Sequence, residues 1–176
     1  MRRVPTVLSA AATLVLMLAR STPVLAQAER GESACRALAG LQVPGAALSD
    51  VKAEWFAAGA PPPAEPSYVP PLAVSLPAYC RLDATLDRRV GADGRPYGIG
   101  FALALPANWN GRFLFQGGGG LNGSVAPPLG RTGQGDAALA RGFAVVTTDT
   151  GHRGAVFDAS FMVAACGAAS TEGGRR

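Results

Sequence analysis

Apolar and polar positions change rhythm several times along the 176 residues. Residues 4–18 are predominantly apolar, follow Arg2 and Arg3, and are closed by Arg20, Ser21 and Pro23. With small residues around Ala26, Gln27 and Ala28, this predicts a secretory leader cleaved near Ala26 or Ala28. The stretch falls short of the roughly 20 residues a spanning helix needs, so a stable membrane anchor is not expected. Further on, Cys35, Leu38, Ala39 and Leu41 share one face of a short helix predicted over 34–41. Residues 57–77 then carry prolines at 61, 62, 63, 66, 70, 71 and 77, which fix φ and remove ladder donors, and predict an extended wrap or linker.

From Cys80 the period becomes two. Residues 80–86 and 98–105 alternate as a strand pair, with Asp93-Gly94 as the hairpin turn between them. A third strand is predicted over 112–116, introduced by the Pro106 to Gly111 connection and running into Gly117, Gly118, Gly119 and Gly120. Residues 135–141 hold helix formers, with Asp136 in the first turn, Arg141 in the last and Gly142 as terminator. Residues 143–148 are β-branched and aromatic, as in a parallel strand buried on both faces, and leave an open edge beside them. Hairpin, strand, glycine loop, helix and strand make an α/β class chain, the N-terminal part of an α/β-hydrolase sheet, incomplete.

Charge and cysteine content refine this. Removing residues 1–26 takes away Arg2, Arg3 and Arg20 and no acid, so the formal charge falls from +4 by 3 to +1. Two of the remaining positives are Arg175 and Arg176, which leaves no basic stripe to track a phosphate backbone and disfavours nucleic acid as a partner. Cys35 and Cys80 are either a staple or two buried thiols; the leader, which implies an oxidising compartment, favours the disulfide, worth roughly 3–4 kcal/mol in the chain-entropy model. Cys166 is then odd, either a reactive thiol or half of a pair whose partner lies elsewhere.

Candidate chemistry centres on the four glycines. Missing Cβ atoms let backbone N–H groups approach a tetrahedral intermediate, so Gly119 and Gly120 are the candidate oxyanion donors. A flexible surface loop and a phosphate loop are the alternatives; no G-x-x-x-x-G-K-[ST] is present, and residues 121–133 separate the glycines from the next helix. Trp109 and Phe113 are expected in the core rather than as a substrate platform. His152, the only histidine, and Asp149 are expected to brace the site from behind rather than to react, because a hydrolase's catalytic histidine follows its nucleophile and acid.

Four ordered blocks carry a resemblance: Leu76-Pro77-Ala78-Tyr79-Cys80-Arg81; residues 105–113 around Trp109-Asn110-Gly111; Gly117 to Gly120; and Thr148-Asp149-Thr150-Gly151-His152. Over residues 33–157 the chain resembles the tannase and feruloyl esterase family. The resemblance implies a secreted or periplasmic serine esterase that cleaves esters of galloyl, feruloyl or related aromatic acids without a cofactor. In that family a Cys-Ser-x-Gly-Gly nucleophile motif, a lid domain that carries structural calcium, an aspartate and a His-Cys pair all come later than this chain reaches. Ala169-Ser170-Thr171-Glu172-Gly173-Gly174 resembles the nucleophile motif with a glutamate inserted and Cys166 four residues early. Too little chain separates Asp149 from Ser170 for the helix and strand that a nucleophile elbow requires.

The predicted layout is a leader over 1–26, an N-terminal wrap over 27–79, a partial hydrolase core over 80–157, and an aberrant or disordered tail over 158–176, produced by truncation or a frame change near Met162. Without a nucleophile the fragment is expected to be inactive towards its small aromatic ester substrate. The alternative is a secreted non-catalytic module that binds a small phenolic or glycan ligand, with a genuine short length.

Overall fold

A computed structural model describes residues 22–65, 69–91, 94–131, 136–155, 157–159 and 161–162. Strands β1 (Leu48–Phe56), β2 (Tyr79–Val90), β3 (Pro96–Pro106), β4 (Phe113–Gln116) and β5 (Ala144–Thr148) form one mixed sheet in the order β1-β2-β3-β5-β4. The β2–β3 hairpin is antiparallel from Tyr79 opposite Pro106 to Val90 opposite Pro96. Gly94 sits in its turn at φ +76° and donates to Gly91, whose own N–H donates to Arg95. Asp93 lies outside the described residues.

β1 is absent from the sequence expectation, and its geometry explains why. Its register with β2 shifts between Ser49 and Lys52, and Asp50 takes φ +55°, so the bulge breaks the period of two that marks a strand in sequence. The helix expected over 34–41 is instead α1 (Thr22–Ala37), finished by one 3-10 turn at Leu38–Gly40.

The helix expected over 135–141 contracts to a single 3-10 turn, Leu139–Arg141. Ala138 N–H donates to Gly130 O and Leu139 N–H to Leu129 O, so donors that would build a helix are taken by the preceding loop. Gly142 does terminate the turn, at φ +81°.

The open edge is also corrected. β5 pairs antiparallel with β3 and parallel with β4, so the apolar strand is interior and, among the described residues, the sheet's edge strands are β1 and β4. Val145 and Ala144 are buried because ladders and side chains enclose them on every side.

Paired residues share a sheet face, which separates two packing layers. On one face Ala104, Val145 and Leu114 meet Leu76, Tyr79, Leu129 and Leu139, with Leu72 and Phe56 against them. The proline-rich segment thereby contributes Leu72 and Leu76 to the core; its described residues form no helix or strand. Arg131 forks Glu65 through its Nε and Nη2 in a largely buried ion pair, tying this segment to the loop before β5. Tyr79 stacks on Phe56 at 4.8 Å, and burial pushes its phenol above the ordinary value.

On the opposite face α1 covers the β1–β2 end, with Gly31 lying so close to the Trp55 ring that a Cβ there would stand 2.7 Å from it. Cys35 and Cys80 are joined by a disulfide with Cα atoms 5.5 Å apart, both buried. This bond fixes α1 to β2 across a separation of 45 residues, which corresponds to roughly 3–4 kcal/mol. Cys166 lies outside the described residues. Replacing both Cys35 and Cys80 with Ser is expected to lower unfolding stability by roughly 3 kcal/mol or more, measured by denaturant titration against the oxidised chain. A chain equally stable after reduction would show that the bond does not constrain the fold.

Candidate active site

The loop after β4 carries the candidate chemistry. Gly117, Gly118, Gly119 and Gly120 are all exposed. Asn122 N–H donates to Gly119 O at 3.1 Å, closing a four-residue turn in which Gly120 stands at φ +61°. The N–H groups of Gly118, Gly119 and Gly120 donate no hydrogen bond among the described residues. Exposed amides without an acceptor among the described residues can receive an anion where they converge.

Asn122 holds the run in place. It is buried, takes φ +57°, and its Nδ2 donates to Thr148 O at 2.6 Å, so the loop is tied to the last residue of β5. A Cβ on Gly118 would run into the Asn122 carboxamide, so glycine at 118 lets the loop cross directly over that side chain. Sequence reading passed over Asn122, although an asparagine directly after a glycine run, able to adopt a left-handed backbone, was the available signal.

Asp149 and His152 follow β5. Asp149 is 1% exposed, and its Oδ1 accepts from Gly100 N–H and Gly151 N–H, both at 2.9 Å. Gly100 and Asp149 also exchange a backbone bond, and a Cβ on Gly100 would stand 2.5 Å from Asp149 Oδ2. Asp149 O accepts Gly123 N–H at 3.3 Å, which carries the anchor into the glycine loop. The carboxylate is committed to backbone amides, with Arg153 Nε 3.8 Å from Oδ2.

His152 is 8% exposed, stacks on Phe161 at 4.0 Å, and has a buried Nε2 without a hydrogen-bond partner among the described residues. That nitrogen lies 3.1 Å from where a Cβ on Gly123 would stand. Both residues reach the loop at Gly123, and each keeps one buried polar atom, Asp149 Oδ2 and His152 Nε2, without a hydrogen-bond partner among the described residues. Ser170 lies outside the described residues.

Trp109 and Phe113, expected in the core, are exposed by 60% and 61%. Trp109 Nε1 donates to Arg112 O at 2.8 Å, pinning the indole along the surface of the connection. Phe113 faces outward because Leu114, its neighbour on the strand, takes the core side, and because β4 is an edge strand. Among the described residues no group of three His, Cys, Asp or Glu side chains could hold a metal ion.

Residues 86–168 match the family model described as tannase and feruloyl esterase. A mono(2-hydroxyethyl) terephthalate hydrolase from Piscinibacter sakaiensis is 47% identical over 88 residues, 49% of this chain and 15% of that protein. An esterase crystal structure from Aspergillus oryzae is 24% identical with TM-score 0.47, covering 70% of this chain and 23% of its own. Feruloyl esterase B from the same organism is 29% identical with TM-score 0.46, covering 70% and 22%. The chain thus spans about 15% of the length of the terephthalate ester hydrolase that it matches. The matched residues, 86–168, include β3, β4, β5 and the glycine loop of the mixed five-stranded sheet.

Substituting Asn122 with Ala removes the bond to Thr148 O and the left-handed preference together, and is expected to cost about 1–3 kcal/mol. Gly118→Ala should destabilise by a similar amount through the clash with Asn122, and Gly117→Ala, where a Cβ meets open space, by much less. Denaturant midpoints of the three variants check the ranking; equal midpoints for Gly117→Ala and Gly118→Ala would show that Asn122 does not lie under the loop.

Proposed function

We propose that this chain supplies the oxyanion side of an exported serine esterase acting on esters of aromatic carboxylic acids, and that the chain by itself turns over no ester. The observation that carries this reading is the exposed Gly118 to Gly120 run with undonated N–H groups, held by Asn122 and by the Asp149 anchor. The family match and the terephthalate ester hydrolase relative support the ester class. The Cys35–Cys80 disulfide supports export, since such bonds persist in oxidising compartments.

In this reading a serine hydroxyl attacks the ester carbonyl and the carbonyl oxygen becomes an oxyanion facing Gly119 and Gly120 N–H. Two amide donors fixed before the reaction stabilise that charge more than the neutral carbonyl, because they need no reorganisation as it develops. Collapse expels the alcohol, and water then releases the acid from the acyl-enzyme. Asp149 and His152 keep the loop in register with β5 throughout. The serine, its base and its acid belong to sequence like that which follows this region in the longer relatives.

Three measurements test the proposal. Genomic sequence read in all frames past codon 176 is expected to encode a Cys-Ser-x-Gly-Gly block followed by acid and histidine; no such block in any frame overturns the esterase assignment. The 176-residue chain and its Ser170→Ala variant are expected to give the same background rate on a chromogenic aromatic ester. A rate that disappears with Ser170→Ala would instead make that residue a nucleophile. In a polypeptide that carries the downstream block, Gly119→Pro deletes one donor and should lower kcat about 10²–10³-fold with KM little changed.

A further inference from the structure

A cavity of about 370 Å³ opens between the β2–β3 hairpin end and the segment after β5. Its size falls in the range of small-molecule sites. Arg88, Arg95 and Arg153 line it, and among the described residues no lining residue is acidic. Arg88 bonds Asp50 through one Nη, and Arg153 approaches Asp149 only to 3.8 Å, so both guanidiniums have donor capacity beyond those contacts. Their side chains are 57% and 77% exposed, which leaves them open to an incoming anion.

The remaining lining includes three aromatic side chains, Tyr97, His152 and Phe161. Tyr97 and Phe161 line the cavity, and Phe161 is fixed from behind by its 4.0 Å stack on His152. His152 is itself more than nine-tenths buried, with its Nε2 unpartnered among the described residues, at the back of the wall and against Gly123. Guanidiniums and aromatic rings that line one cavity match a ligand with a planar anion at one end and an apolar ring at the other. A guanidinium fork pairs a carboxylate bidentately, and stacking on Tyr97 or Phe161 removes the ring from water. Inorganic phosphate would leave that aromatic wall unused.

We propose that this cavity binds a small aromatic carboxylate, its carboxylate held by Arg88 and Arg153 and its ring against Phe161 and Tyr97. The inference goes beyond the esterase reading, because binding here needs no nucleophile and takes place in a cavity separate from the Gly118 to Gly120 turn.

The test titrates the full 176-residue chain with benzoate, with neutral benzamide of the same shape and with inorganic phosphate, by calorimetry or ligand-observed NMR. Benzoate is expected to bind at least about tenfold more tightly than either control. Arg153→Gln and Arg88→Gln should each weaken benzoate several-fold and together about tenfold or more, with an unchanged circular dichroism spectrum because both side chains are exposed. Phe161→Leu should weaken benzoate and leave phosphate unaffected. Equal binding of benzamide, phosphate binding as tight as benzoate, or an unmoved affinity in the double arginine variant each overturns the proposal. Esterase activity is not part of the readout, so failure here is distinct from failure of the hydrolase assignment.

Discussion

The buried Asp149 carboxylate is the constraint on which the site depends. A charge removed from water needs strong partners, and Asp149 finds them in the N–H groups of Gly100 and Gly151. One oxygen thereby joins the N-terminal half of β3 to the turn after β5 and fixes where β5 stops. Asp149 O then takes Gly123 N–H, so the glycine loop is referenced to the same point. Gly100 allows this because any side chain there would fill the carboxylate's place.

Around that point the sheet solves an ordering problem. β5 is the strand most in need of burial, and it enters between β3 and β4, where both its edges are paired and the face that carries Val145 and Thr147 is buried. The cost is transferred to β4, a four-residue edge strand whose Phe113 and Phe115 are about 60% exposed. Phe101, Leu103, Leu105 and Val146 continue that face as half-buried apolar residues beyond the reach of α1. On the other face the proline-rich wrap stands in for a helix, since Leu72 and Leu76 reach the core from chain that has no ladder of its own.

The glycine loop shows how local and tertiary effects combine. Glycines at 117 to 120 permit close approach, but a permissive backbone alone would be mobile. Rigidity comes from Asn122, which accepts a left-handed conformation, bonds Thr148 O and occupies the space beneath Gly118. Exposed amide donors in a fixed arrangement are the result, and that arrangement is what electrostatic stabilisation of an oxyanion requires.

The β2–β3 hairpin, the strand before the glycines, the apolar strand at 143–148 and the Cys35–Cys80 pair were all legible in the sequence, because alternation, β-branched runs and turn residues are local signals. β1 was not legible, since the bulge at Asp50 interrupts its period, and neither was the fate of residues 135–141, whose helix formers lose their amides to the preceding loop. Trp109 and Phe113 looked like core by residue type and became surface by position. Strand order, the choice of exposed edge, the enclosure of Asp149 and the seating of Asn122 under Gly118 belong to the tertiary structure alone, because each depends on which distant backbone groups arrive to satisfy a buried donor, acceptor or charge.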